Sequence, residues 1–326
     1  MRVVLIVALA IILFPIFGSA QAMVEPKGTG SITLSYQYAY VDQHLFGTGE
    51  NYRVLSNGVQ TSDLGTLSSH AIYADFAYSI TDKVAFSVSL PFITRKYTAP
   101  DHPLGPGVGA HTLADGSIPL DDGNYHGSFA DLGFRVRYSL WTRPLYITPF
   151  IEYNTPSNNY MFYSHAIVGN HVHQLNLGTY VAGLLDPVIP NSYFQLRYAV
   201  GFPEEIVGIS RTRENAEAEF GYFINPTWRV FGTVIGEITH GGINLPNGPG
   251  FPRDTTNPLF FHHAQITRDN LLDIAGGVQY SINDRMYFYA VGTNTITGRN
   301  VHAFKYEITT GISWGFGGSP QRPCHC

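Results

Sequence analysis

The chain has 326 residues, with 19 Lys and Arg against 24 Asp and Glu, and its formal net charge of -5 leaves no electrostatic footprint for nucleic acid. Charged residues are only 13% and aromatic ones 14%, with 34 Gly, 21 Tyr and 21 Phe. Soluble domains carry about twice that charge, so this composition argues against an ordinary soluble surface and for one facing lipid.

Arg2 is followed by an uncharged apolar run from Val3 to Phe17 and then by Gly18-Ser19-Ala20-Gln21-Ala22. A positive start, a short apolar centre and an Ala-x-Ala end predict an export signal over 1–22, cleaved after Ala22. No Cys follows that site to accept a lipid anchor. No later apolar stretch reaches the roughly 18 residues a spanning helix needs, so any crossing of a membrane must use strands.

The clearest pattern runs from Ser31 to Tyr40, where Ile32, Leu34, Tyr36, Tyr38 and Tyr40 alternate with small or polar residues. Side chains on a strand point alternately to opposite faces, so one face is apolar and aromatic and the other polar. The same reading recurs along the chain and predicts twelve strands, at 29–40, 67–80, 84–94, 128–140, 145–154, 171–184, 192–202, 212–224, 228–240, 268–281, 286–296 and 301–316. Twelve is a permitted even number for a transmembrane barrel.

Short turns are expected at Thr81-Asp82-Lys83, Trp141 to Pro144, Asp186 to Asn191, Asn225-Pro226-Thr227 and Asn283-Asp284-Arg285. Between them fall the long segments 41–66, 95–127, 155–170 and 241–266, rich in Gly, Pro, Asn, Asp and His. Alternation alone also describes a soluble sandwich or a water-soluble barrel. Export, low charge and the contrast of loop lengths at the two ends favour an all-β, antiparallel up-and-down barrel of about twelve strands in the outer membrane, over 23–316. Residues 317–326 form a periplasmic tail, and no boundary divides the chain further.

Strand 301–316 shows which way the faces point, since Phe304, Tyr306, Ile308, Ile312, Trp314 and Phe316 alternate with Lys305, Glu307, Thr309, Gly311 and Ser313. In lipid the apolar set must face outward. The charges predicted to line the lumen are then Asp75, Asp131, Arg135, Arg137, Glu152, Arg197, Arg213, Glu217, Glu219, Arg229, Glu237, Asp273, Lys305 and Glu307. Neither sign dominates, which predicts weak ion selectivity or a set of salt bridges across the interior. Cross-strand pairing is the expected state of each charge, Arg135 and Arg137 with inward carboxylates. Twelve strands lie between the filled interior of eight and the open channel of sixteen, and a narrow pore is the reading adopted.

At the end of the last strand, Thr309-Thr310-Gly311-Ile312-Ser313-Trp314-Gly315-Phe316 resembles the assembly signal of bacterial outer-membrane barrels, with Thr309, Gly311, Trp314 and Phe316 at its marked positions. It departs from that pattern in the ten residues that follow Phe316. The run Gly127-Ser128-Phe129-Ala130-Asp131-Leu132-Gly133-Phe134-Arg135-Val136-Arg137-Tyr138, with Ala275-Gly276-Gly277-Val278-Gln279-Tyr280, resembles the outer-membrane family labelled transporter or phenol meta-pathway degradation-like. The resemblance implies a barrel and passage of aromatic or other hydrophobic compounds. The partners that follow are outer-membrane lipid, the barrel assembly machinery and a small-molecule solute.

Histidines gather in the outer segments, at His102, His111, His126, His165, His171, His173, His262 and His263. His171 and His173 share a strand face at a spacing that can hold a metal, but no fixed carboxylate or Cys stands near them in sequence. Solvated loop tips are the reading adopted, with no metal and no cofactor. Cys324-His325-Cys326 is read as a flexible extension. No Gly-x-Ser-x-Gly or His-Glu-x-x-His occurs, so the chain reads as a channel rather than an enzyme. A barrel enzyme, or a binding barrel whose loops carry the function through Tyr52, Tyr97, Tyr125, Phe251, Phe260 and Phe261, is the alternative.

Overall fold

Backbone N–H and C=O groups that leave water must be paired within the protein, and a sheet closed on itself pairs them all. The computed structural model describes residues 22–45, 51–52, 65–98, 111–186, 188–244 and 255–318, and in them the chain forms such a sheet. Strand β1 is Gly30–Leu45, β2 Thr66–Ser79 and β3 Val84–Thr98. Strand β4 is broken at Ala130 into His126–Phe129 and Asp131–Tyr138, both antiparallel to β3. There follow β5 Leu145–Pro156, β6 Gln174–Leu184, β7 Ser192–Pro203, β8 Arg211–Phe223 and β9 Trp228–Gly241. The series ends with β10 Asn270–Asn283, β11 Met286–Arg299 and β12 Val301–Phe316.

Each strand pairs antiparallel with the next, and β12 pairs with β1 from Gly30 opposite Phe316 to Leu45 opposite Val301. The result is a closed barrel of twelve strands. A two-residue strand, Asn51–Tyr52, lies along the outer end of β1.

The turns at one end are tight and made locally. Asn225 accepts the N–H groups of Thr227 and Trp228 through Oδ1, at 2.8 and 2.9 Å. Thr81 Oγ1 does the same for Lys83 and Val84, and Asn283 for Arg285. These are the Asx and Ser/Thr turns expected of such residues.

The other end departs from the sequence reading. Strands β1 and β3 run on to Leu45 and Thr98, past the expected 40 and 94. Their backbones stay paired there, Thr66 opposite Thr98 and His44 opposite His302. Strand β6 starts later, at Gln174, and His171 takes φ 53°, in the left-handed region rather than the strand region. His171 and His173 therefore do not share a strand face. Segment 241–266 is not wholly irregular: α1, Pro258–Phe261, is capped by Asn257, and α2, His263–Ile266, follows at once.

The outward face is apolar all round the barrel. Ile32, Leu34, Val136, Ile151, Leu177, Val234, Ile274 and Ile308 are all exposed. Aromatic residues ring both margins, with Tyr78, Tyr138, Trp228, Tyr280, Trp314 and Phe316 toward the short turns and Tyr36, Tyr153, Tyr198 and Tyr306 toward the long loops. Phe316 and Tyr306 are ten residues apart, which is about 33 Å along a strand and about 25 Å along the axis at a tilt of about 40°. That is the height of a bilayer's apolar band. Among the described residues no helix is long and apolar enough to cross a membrane, so the strands carry the crossing.

The core lies inside the barrel rather than between layers. Inward aromatic rings lie over glycines of the neighbouring strand, and a Cβ on Gly311 would stand 2.5 Å from the Tyr289 ring. Tyr193 covers Gly221 in the same way.

A lumen narrowed from both ends

The inward charges fall on two unlike walls. Strands β4 to β9 carry Arg135, Arg137, Arg197, Arg211, Arg213 and Arg229, with Asp131, Glu152, Glu217, Glu219 and Glu237 among them. Strands β2, β10 and β12 carry Asp75, Asp273 and Glu307, which hydrogen-bond to the hydroxyls of Ser89, Thr295 and Thr293.

On the arginine wall the charges are held by hydrogen bonds, several of them to carboxylates. Arg135 is held by Glu152 and donates from Nη1 to Tyr180 Oη at 2.7 Å. Asn176 donates to the same Glu152 at 3.1 Å. Arg197 meets Glu217 at 2.8 Å, and Tyr193 Oη donates to Glu219 at 2.6 Å. Arg229 donates to Gln279 Oε1 at 2.6 Å. Arg213 lies 2.8 Å from Asp269 and 3.9 Å from Glu237. Aromatic faces stand between the guanidiniums: Phe150 has Arg135 at 5.2 Å and Arg197 at 5.4 Å, and Arg229 lies over Tyr193 and Phe231 at 5.2 and 5.4 Å. These are cation–π distances.

Two of the charges read from sequence have other surroundings. Arg137 donates to the carbonyl of Met23 at 3.4 Å and faces the carboxylate of Glu25 in the same N-terminal segment rather than one on the barrel wall. Lys305 departs from the lumen. The β1–β12 register slips there, leaving Lys305 and Asp42 without a counterpart in the ladder. Its ammonium is exposed, 2.8 Å from Asp42 and over the ring of Tyr40 at 5.8 Å. A bulge shifts the period by one residue, and strict alternation fails across it.

The N-terminal segment enters the barrel at the short-turn end. Ala22 packs on Phe150, Tyr180, Ala182 and Ala199. Thr148 donates to its carbonyl at 2.5 Å, and its N–H reaches Gln195 at 3.2 Å.

At the opposite end the segment 157–173 folds inward. Tyr160 and Val168 pack against Ala71, Ile93 and Ala130 of the wall. Tyr160 donates to Asp131, accepts the N–H of His171 at 2.9 Å, and so ties the loop to β4. Arg95 holds the loop from β3 through the carbonyl of Ile167. Gln265 of α2 reaches the carbonyls of Asn170 and His171, both at 3.0 Å. Beneath the loop a cavity of about 230 Å³ is lined by Asp131, Asn154, Gln174, Arg211 and Arg213, with Asn170 and Val172 from the loop itself.

The histidines of this end are not all at solvated tips. His165 and Asp121 are buried, and the His111 side chain is only 10% exposed. Burial, with His165 close by, pushes His111 down to about 3, and burial pushes His263 down to about 4, so both imidazoles are neutral at physiological pH. Tyr97 stacks on His165 at 4.3 Å, and Tyr163 packs on His111, Phe260 and Phe261. His126, by contrast, pairs with exposed Asp122 at 2.7 Å. His102, Phe251 and Cys324-His325-Cys326 lie outside the described residues, as does 1–21.

Sequence reasoning did not find Arg95, Arg211, Tyr180 or the inward loop. Arg95 had a signal, since Ile93, Arg95 and Tyr97 continue the inward alternation of β3.

No family model matches the chain, and no curated protein matches it. Among solved structures, it is similar to an outer membrane channel from Pseudomonas putida F1, at TM-score 0.65 and 12% identity over 92% of this chain and 99% of that one. Weaker likenesses are the translocator domain of the autotransporter NalP from Neisseria meningitidis, at TM-score 0.49, 10% identity and 91% and 92% coverage, and the NanC porin, at 0.48, 8%, 86% and 98%. The likeness to the Pseudomonas channel is one of fold, a closed twelve-stranded barrel.

Proposed function

We propose that this chain is an outer-membrane channel that passes small molecules passively, aromatic ones among them. The observation that carries the reading is the reversal of polarity across one closed wall. The outer face is apolar between two aromatic girdles, while the inner face holds hydrogen-bonded charges around a cavity. A wall of that kind keeps a solute out of hydrocarbon and offers it polar partners in turn.

The aromatic part of the reading rests on the interleaved rings and guanidiniums along Arg135, Phe150, Arg197 and Arg229. Flat rings stack on such surfaces, and the arginines attract a carboxylate carried on the same ring. The phenol meta-pathway-like resemblance of the sequence supports the same direction, and the channel fold of the Pseudomonas structure supports passage of a solute as such.

Export by the segment 1–22, assembly through Thr309, Gly311, Trp314 and Phe316 with the barrel assembly machinery, and a periplasmic tail at 317–326 belong to the same proposal. Cleavage after Ala22 removes that residue from its seat on Phe150 and Tyr180 and leaves Met23 first, which widens the short-turn end.

Catalysis has less support. Ser164, His165 and Asp121 do meet, but the hydroxyl of Ser164 is directed at Asp121 rather than at an imidazole that would activate it. Reconstitution in planar bilayers tests the channel reading: discrete, small, ohmic conductance steps support it, and a silent bilayer with protein shown to be inserted overturns it.

A further inference from the structure

The geometry points to a divalent transition-metal site formed by His111 Nδ1, Asp121 Oδ2 and His165 Nδ1, pinning the outer loops 111–125 and 157–173 together over the barrel mouth. The three atoms form a nearly equilateral triangle. His111 to Asp121 is 3.0 Å, His165 to Asp121 is 2.9 Å, and the two nitrogens are 2.9 Å apart. An ion about 2.1 Å from each would sit about 1.2 Å out of their plane, with angles near 90° between ligands. That is one face of an octahedron, the two-histidine, one-carboxylate arrangement that suits first-row divalent ions and leaves other positions open.

The protons around the site lead to the same conclusion. His263 Nδ1 lies 2.6 Å from the carbonyl of Phe260, which only accepts, so that nitrogen carries the proton. The other nitrogen of His263 faces His111 Nε2 at 3.4 Å, and a proton held on His111 at that nitrogen leaves its Nδ1 free of one. A neutral His111 protonated at Nε2 presents a bare lone pair at Nδ1, toward Asp121 and His165. One proton on His165 Nδ1 cannot lie along both of its contacts, and Asp121 Oδ2 is left facing the bare nitrogen at 3.0 Å. A cation in the triangle is bound by all three atoms at once. His263 is then the outer partner that fixes the ring of His111, as metal-bound histidines commonly have.

The carboxylate is built in for the purpose of staying charged and still. Asp121 also accepts the backbone N–H groups of His111, His165 and Ala166 at 2.9 to 3.1 Å. His44 and His302 stand beyond His165 and make a second group of three with it.

The test uses purified, chelator-stripped full-length protein in detergent, titrated calorimetrically with Zn2+ and with Co2+. One saturable equivalent is expected, lost or weakened at least tenfold in both Asp121→Asn and His111→Gln. It should survive in His171→Gln and in a tail variant carrying Cys324→Ser, His325→Gln and Cys326→Ser. Heat-modifiable migration of each variant reports that its barrel is folded. Absence of a stoichiometric equivalent in the wild-type protein overturns the proposal without any variant. Binding that survives at His111→Gln but fails at His44→Gln or His302→Gln, or that fails in the tail variant, overturns the site as assigned. None of these readouts depends on whether solutes pass through the barrel.

Discussion

The guanidinium of Arg135 and the phenol of Tyr180 meet at 2.7 Å across the intervening strand β5, whose Glu152 takes the other edge of the same guanidinium. This places a positive charge, an aromatic face and a carboxylate at one level of the lumen. Replacing Arg135 and Arg137 together by Gln leaves Glu152 without its cation, and in planar bilayers the reversal potential in a salt gradient should move toward cation selectivity. Unchanged conductance and selectivity would remove both arginines from the lining. Breaking the buried pair should also cost about 3 kcal/mol of stability.

Gly311 lies under the ring of Tyr289. Gly311→Ala forces that ring to shift, an overpacking that should cost about 1 to 3 kcal/mol, read as a lower urea midpoint in micelles. Adding Tyr289→Ala should recover part of the loss, because the obstructing ring is gone. A Gly311→Ala protein as stable as wild type would show that the close approach carries no weight.

Tyr160 anchors the inward loop with two hydrogen bonds, to Asp131 and from the N–H of His171. Tyr160→Phe removes both while keeping the ring against Ile93 and Val168, a loss of about 1 to 3 kcal/mol for the groups left unpaired. Protease should cut within 157–173 faster, and single-channel conductance should rise. Equal cutting rates would mean the loop is held elsewhere.

Asp269, just before β10, gives a pH dependence of defined sign. Burial raises its carboxyl to about 6 even though Arg213 lowers it. A raised acid stabilises the fold fully below its unfolded value near 3.8, and that stabilisation is lost as pH rises through about 6. Wild-type protein should therefore gain stability between pH 7 and pH 4 from this site, at most about 3 kcal/mol. Asp269→Asn should lack that increment. Parallel urea midpoints of the two proteins over that range would contradict the assignment.

The barrel was legible because one physical rule, apolar out and polar in, repeats every second residue with few interruptions. Where the rule held, as in Asp131, Arg135 and Arg137 along β4, the inward set could be read directly. Where a bulge shifted it, as at Lys305, the reading failed. The inward loop was not legible at all. Tyr160 and Val168 have no period, and the residues they bury against, Ala71, Ile93 and Ala130, are tens of positions away. The histidines were misplaced for the same reason, since Asp121, which brings His111 and His165 together, is distant from one and adjacent to no signal. The length of β3 was available in the alternation through Tyr97, but Pro91 and the loop-like composition beyond it obscured the strand's end.

Liposome swelling tests the central claim most directly. Vesicles holding the wild-type protein, placed in iso-osmotic arabinose or benzoate, should swell faster than protein-free vesicles, with benzoate admitted faster than its size alone allows. If vesicles with demonstrably inserted protein swell no faster than empty ones in either solute, and still do not after the 157–173 loop is loosened by Tyr160→Phe, the barrel is not a passage.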